Sequence, residues 1–163
     1  VTQTSSPSMD IQVSSNFERY LYYLNDRDPL RTREAMEHFS SSGRLEFDQA
    51  SRDRVSAEFC SRTVSEEETI AIISSFNQRG YLLDPHTAVG VNAAKACRVP
   101  EVSVVCLATA HPAKFGNAVS RAIGRQPDLP EPLKGLDQRE NRCKVLGAEP
   151  KDIQQFIVDH ALQ

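Results

Sequence analysis

Val102-Ser103-Val104-Val105-Cys106-Leu107-Ala108 is an uncharged run in which β-branched residues recur, and Thr109-Ala110-His111-Pro112 follows it at once. A run of this kind, closed by a tight polar connection, reads as a buried strand of a parallel sheet. Working outward, the stretch from Pro85 to Cys97 reads as a helix. Asp84 supplies an N-cap, Pro85 suits the first helical position, and Ala88, Gly90, Ala93 and Ala94 form a small-residue face suited to close packing on a sheet. Pro112 opens the next helix, which carries Phe115, Ala118, Val119, Ala122 and Ile123. Helix, strand and helix with short connections predict an α/β layer around a parallel strand. A second strand is expected over 142–146. With so few strands in view, the parallel sheet reads as incomplete.

Upstream, the pattern is helical. Met9 to Val13 alternates weakly and reads as a short extended piece. Ser14 or Ser15 can cap a helix on which Phe17, Tyr20, Leu21 and Leu24 form an apolar stripe, with Glu18 three residues after Ser15. Pro29 suits the start of a second helix carrying Leu30, Ala35, Met36 and Phe39, stopped by Ser40-Ser41-Ser42-Gly43. Leu45 and Phe47 alternate, and a helix between Ala50 and Phe59 is suggested by Val55 and Phe59. Ser65-Glu66-Glu67-Glu68 is a capping box for a helix through about Arg79, and its glutamates favour the positive end of the helix dipole. Pro150 opens a last helix with Ile153, Phe156, Ile157 and Ala161. The expected division is an extended start and helical segment over 1–79 and an α/β part over 80–163.

Composition narrows the function. The 163 residues carry a formal charge of −3, with charges of both signs interspersed and no basic run, which argues against nucleic acid as a partner. Val102 to Ala108 is the longest apolar run and far too short to span a bilayer. Nothing at the N-terminus has the form of a signal peptide, and a cytoplasmic location is expected. The polar, aperiodic stretch Val1 to Ser8 reads as a chain beginning in the middle of something. Cys60, Cys97, Cys106 and Cys143 form no C-x-x-C pair, so no metal site is expected, and they are read as reduced, with Cys106 and Cys97 buried.

Polar residues concentrate at three helix starts: Ser14-Ser15-Asn16, Asp84-Pro85-His86-Thr87, and Thr109 through Lys114. Free backbone N–H groups and the helix dipole suit such places to anions, and in an open α/β sheet ligands lie beyond the carboxyl ends of the strands. Taken singly, each of these residues is more often a turn or capping residue than a ligand. No P-loop, G-x-G-x-x-G, H-E-x-x-H or G-x-S-x-G motif is present.

Taken jointly, three segments resemble one family. Ser8-Met-Asp-Ile-Gln-Val-Ser-Ser-Asn-Phe-Glu-Arg19 is similar to the S-M-D-I-x-x-x-S-N-x-E-R signature of threonine synthases. Asp84-Pro-His-Thr-Ala-Val-Gly90 resembles their D-P-H-T-A-V-G segment, and Thr109-Ala-His-Pro-Ala-Lys-Phe115 their T-A-H-P-A-K-F segment. The order is the family's own and the segments span most of residues 8 to 115; agreement beyond Phe115 is loose.

The resemblance implies the C-terminal part of a fold-type II enzyme dependent on pyridoxal 5'-phosphate, with part of a three-layer sandwich and an added helical segment. Such an enzyme converts O-phospho-L-homoserine and water to L-threonine and phosphate. The family's Schiff-base lysine lies N-terminal to the region matched. None of Lys95, Lys114, Lys134, Lys144 and Lys151 stands in its S-x-x-F/Y-K-D context, so no catalytic residue is assigned and the chain alone is expected to be inactive. Thr109 matches the position whose hydroxyl meets the cofactor's pyridine nitrogen. Ser14, Ser15, Asn16, His86, Thr87 and Lys114 are the candidate substrate-lining residues. The expected partners are O-phosphohomoserine and either the missing N-terminal part or a second copy. Two other readings stay open: a threonine-synthase-like phospholyase, and a stand-alone, non-catalytic interaction or signalling fragment.

Overall fold

The computed structural model describes residues 3–11, 13–141 and 143–161. Seven α-helices form among them: α1 (Ser15–Leu24), α2 (Pro29–Ser42), α3 (Gln49–Glu58), α4 (Glu66–Asn77), α5 (Pro85–Cys97), α6 (Gly116–Ile123) and α7 (Pro150–His160). Their starts are set by short polar side chains that accept otherwise orphaned amides. Ser14 accepts from Phe17 and Asp48 from Ser51, while Asp28 takes both Leu30 and Arg31. Ser65 and Glu68 exchange bonds in a full capping box at α4. α6 stops at Gly124, whose φ of 76° a side chain would disfavour.

The chain divides into two compact units, Val1–Asp128 and Leu129–Gln163. The first is organised by α4, which packs on both α5 and α6. Ile73, Leu83, Ala88 and Val91 are buried together there, with Ile72, Phe76, Leu82, Ala122 and Ile123 packed around them. Of the small-residue face expected on α5, Ala88 is buried in this core against a helix and not a sheet, while a Cβ at Gly90 would meet nothing within 4 Å. α1 packs on α2 and buries Leu21 and Leu24 from its stripe. Arg54 of α3 donates to the Leu24 carbonyl at 3.0 Å and pairs with Asp26 at 3.2 Å. In the second unit, the Lys144 ammonium lies 3.0 Å from His160 Nε2, and the rings of Phe156 and His160 stack at 4.2 Å on α7.

The expected incomplete parallel sheet, and with it the α/β class and the three-layer sandwich, is corrected here: the fold is helical, and no strand forms among the described residues. Residues 102–108 have no regular secondary structure, and Val105 and Leu107 are 85% and 78% exposed. A strand is a ladder of hydrogen bonds to a neighbouring chain segment, so β-branched composition expresses a preference that needs a partner to be realised. Among the described residues no neighbouring segment pairs with this run. Residues 143–146 are likewise irregular, and Arg142, which opened the second expected strand, lies outside the described residues. The extended piece expected over Met9 to Val13 begins instead with turns, in which the Met9 and Asp10 amides donate to the Ser6 and Pro7 carbonyls. Gln12, within that piece, lies outside the described residues.

The cysteines also depart from expectation. Cys60 and Cys97 form a disulfide, with Cα atoms 6.1 Å apart. Cys106 and Cys143 are free but exposed, Cys106 because the run that carries it is uncovered.

Candidate ligand site

Asp84 is the hub of the site. It caps α5 and is 1% exposed. Its Oδ1 accepts the His86 amide at 2.9 Å and the Thr87 amide at 3.4 Å, and its Oδ2 accepts the Thr87 hydroxyl. Those donors, together with the positive end of α5, stabilise a buried carboxylate that no described lysine or arginine touches.

His86 is 5% exposed. The Ser8 amide donates to its Nε2 at 3.3 Å. That nitrogen is therefore the acceptor of the ring, and the ring proton sits on Nδ1, which donates to Asp84 Oδ1 at 3.1 Å. The Phe115 ring covers His86, with centroids 4.6 Å apart. Thr87 completes the connection: its hydroxyl hydrogen goes to Asp84, and its oxygen accepts the Thr109 amide at 3.2 Å.

Ser8, His86 with Thr87, Thr109 and Phe115 thus converge on one buried carboxylate from three separate stretches of chain. Thr109 is exposed, and its hydroxyl makes no hydrogen bond among the described residues while its backbone is held by Thr87. Lys114 is exposed on a 3-10 turn, Pro112–Phe115, beside a shallow hollow of about 440 Å³ that Ser5 and Asn117 also line. His111 caps that turn by accepting the Ala113 amide at 3.1 Å.

The start of α1 is a second cluster. Ser15 and Asn16 are exposed, and Arg19 folds back on them, its guanidinium 2.6 Å from Asn16 Oδ1 and 3.2 Å from the Ser15 carbonyl. A groove of about 870 Å³ between α1 and α2 begins here, lined by Ser15, Arg19, Tyr22 and Arg33 among others. No hydrogen bond among the described residues links Ser14, Ser15 or Asn16 to the Asp84 network.

Two participants were missed in the sequence. Arg19 sits three and four residues after Asn16 and Ser15, a spacing that places them together on a helix surface and could have found it. The sequence places Glu66 only within the capping-box run, at the positive end of the helix dipole. It accepts the Ser5 amide at 2.9 Å and hydroxyl at 2.5 Å, and pairs with Arg121 of α6 at 2.7 Å. Burial pushes the Glu66 carboxyl up, but the Ser5 donors and the Arg121 guanidinium outweigh it and hold the group below its ordinary value. Its partners are too far away in sequence to leave a local signal. Through Glu66 the N-terminal segment is fastened to α4 and α6, which places Ser8 over His86.

Residues 87–157 match the family model of the threonine synthase C-terminal region. A threonine synthase of Pseudomonas aeruginosa is 45% identical over 158 residues, covering 95% of this chain and 34% of that protein. Over nearly its whole length the chain is similar to threonine synthases. A crystal structure of PLP-bound threonine synthase from Brucella melitensis superposes with a TM-score of 0.83 at 41% identity, covering all of this chain and 35% of that one. Yeast threonine synthase gives 0.74 at 32% identity, over 99% and 37%. The chain spans about a third of the length of the family members it matches. Among the described residues no group of three or more His, Cys, Asp or Glu side chains could hold a metal, and no helix is long and apolar enough to cross a membrane.

Proposed function

We infer that this chain is the C-terminal part of a threonine synthase, which converts O-phospho-L-homoserine and water to L-threonine and phosphate with pyridoxal 5'-phosphate. The observation that carries the reading is the convergence of the motif segments on Asp84, from Ser8 through His86 and Thr87 to Thr109 and Phe115. Residues so distant in sequence have no need of one buried carboxylate unless their relative placement matters.

The residues present fit the cofactor on one count that this chain can supply. A pyridine nitrogen needs a hydrogen-bonding partner, and Thr109 offers a neutral hydroxyl without a protein partner among the described residues, on a backbone held by Thr87. When bound, pyridoxal phosphate supplies an electron sink for chemistry at the amino-acid carbons. This chain would hold and orient it. Thr109 would meet the ring nitrogen, and Asp84 and Thr87 would fix where Thr109 stands. His86, Thr87, Lys114 and the Ser14-Ser15-Asn16 start of α1 would line the substrate side. Arg19 at that helix start adds a guanidinium suited to the substrate's phosphate.

The exposed run of Val102, Val104, Val105 and Leu107 is the surface through which the chain would meet the rest of the protein or a second copy. The reading carries with it a cytoplasmic location, where a phosphorylated metabolite would be at hand.

Phosphate and threonine release from O-phosphohomoserine with added pyridoxal phosphate tests it. The protein containing this chain together with the family's lysine-bearing region should turn the substrate over, and the 163-residue chain alone should not. Turnover by the chain alone at about 1 per second or more would contradict the assignment, as would an inert longer protein with bound cofactor.

A further inference from the structure

The segment over 43–64 contains no buried residue. α3 within it is exposed or half-exposed along its whole length. Its polar and ring attachments to α1 and the turn after it are Arg54 on the Tyr23 and Leu24 carbonyls and on Asp26, the Tyr20 hydroxyl 3.5 Å from Glu58, and an edge contact of Tyr20 and Phe59 at 4.9 Å. Apart from the part-buried bond to Leu24, the polar contacts among these are exposed, and pairs so exposed contribute little. The Cys60–Cys97 bond then ties the end of this segment to the end of α5, across a sequence separation of 37. Cys60 is exposed and Cys97 half-buried.

We propose that Cys60–Cys97 is a thiol-responsive latch that fastens the α3 segment to α5 and releases it on reduction. Exchange requires a thiolate to reach one sulfur, and the exposed Cys60 permits that. A monothiol of the glutathione type attacks Cys60 Sγ and forms a mixed disulfide, and Cys97 leaves as a thiolate. A second monothiol attacks the sulfur of the small molecule in that mixed disulfide and releases Cys60. Two electrons pass from the two small thiols to the protein, the small molecule ends as its own disulfide, and the protein holds two thiols. Oxidation runs the same steps in reverse from the small disulfide.

Release has a defined structural consequence. Phe17, Tyr20, Leu21 and Leu24 of α1 face Phe47 and Val55 across an apolar cavity of about 220 Å³. This cavity is closed on one side by the segment that the latch retains, so reduction uncovers the apolar face of α1. The freed end of α5 leads directly into residues 98–108 and on to Thr109, so the latch also bears on the connection that carries the candidate site.

Equilibrating the purified protein in oxidised or reduced glutathione, followed by alkylation, mass spectrometry and hydrogen exchange, tests this. Under the oxidised couple Cys60 and Cys97 should resist alkylation, and under the reduced couple they should be modified. Amides over 44–64 and 93–99 should then exchange about tenfold faster or more, with increased binding of an apolar dye, while those of α4 keep their protection. The double variant Cys60→Ser with Cys97→Ser should behave as reduced under both couples, and Cys106→Ser with Cys143→Ser should still respond. A bond that glutathione cannot open, thiols that stay free under the oxidised couple, or unchanged exchange over 44–64 after reduction would each overturn the proposal.

Discussion

The hydroxyl oxygen of Thr87 accepts the backbone amide of Thr109 at 3.2 Å while its hydrogen goes to Asp84. One side chain therefore joins the buried cap of α5 to the residue proposed to meet the cofactor. Thr87→Val keeps the shape and removes both bonds, leaving an Asp84 oxygen without its hydroxyl partner in a buried site. The expected cost is about 1–3 kcal/mol, read as a lowered denaturant midpoint with an unchanged slope. Thr87→Ser should recover most of it. A valine variant as stable as the parent would reduce Thr87 to packing.

Thr109→Val in the intact enzyme should leave stability nearly untouched, because the side chain is exposed and only its backbone is held. Activity should fall by about tenfold or more if the hydroxyl serves the cofactor, a lost bond of about 1–3 kcal/mol. Thr109→Ser should keep much of the activity. The absorption spectrum of the bound cofactor gives an independent reading, and an unaltered spectrum with full activity would make Thr109 a turn residue.

Acid should loosen the N-terminal segment. Glu66 is held below its ordinary value in the folded protein, so it accepts its proton at lower pH there than in the unfolded chain. Its contribution is fully present above the ordinary value near 4.5 and is lost as pH falls through the lowered folded value. Glu68, held low by the Ser65 amide and by Arg62, acts in the same direction. The protection factors of amides over 4–10, with the intrinsic pH dependence of exchange divided out, should fall on acidification before those of α4 do, and Glu66→Gln should flatten that dependence. An identical pH profile in the glutamine variant would exclude Glu66 as the fastening.

Ile73 is fully buried where α4 meets α5 and α6. Ile73→Ala should cost about 2–5 kcal/mol through lost burial and a residual cavity, and Ile73→Val about 0.5–1.5 kcal/mol. Thermal or denaturant unfolding checks the order of the two. Equal losses would mean that the site is not the packed centre of the first unit.

Local chemistry made the helices legible. Pro29, Ser65 with Glu68, and Asp84-Pro85 each announce a helix start from within a few residues, and each is where the structure begins one. The site was half legible for the same reason. His86 and Thr87 stand out in the sequence as polar residues at a helix start, but their coupling to Ser8 and Thr109 depends on how distant segments pack. The same limit hid Glu66 with Ser5 and Arg121, and the pairing of Cys60 with Cys97. The run from Val102 to Ala108 misled for a different reason. Its composition describes what the run would do beside a partner, and the described residues of the helical fold provide none.

Left uncovered, that run makes the chain sensitive to its own concentration. It has no charge and no proline between Val102 and Ala108, three valines of high β-propensity, and its breakers, Pro100 with Glu101 and Pro112, only at its flanks. Uncovered windows of this kind template one another into cross-β stacks. Dilute handling, or a charged substitution at the highly exposed Val105, should matter more for keeping the protein in solution than any gain in the packing of Ile73 and its neighbours.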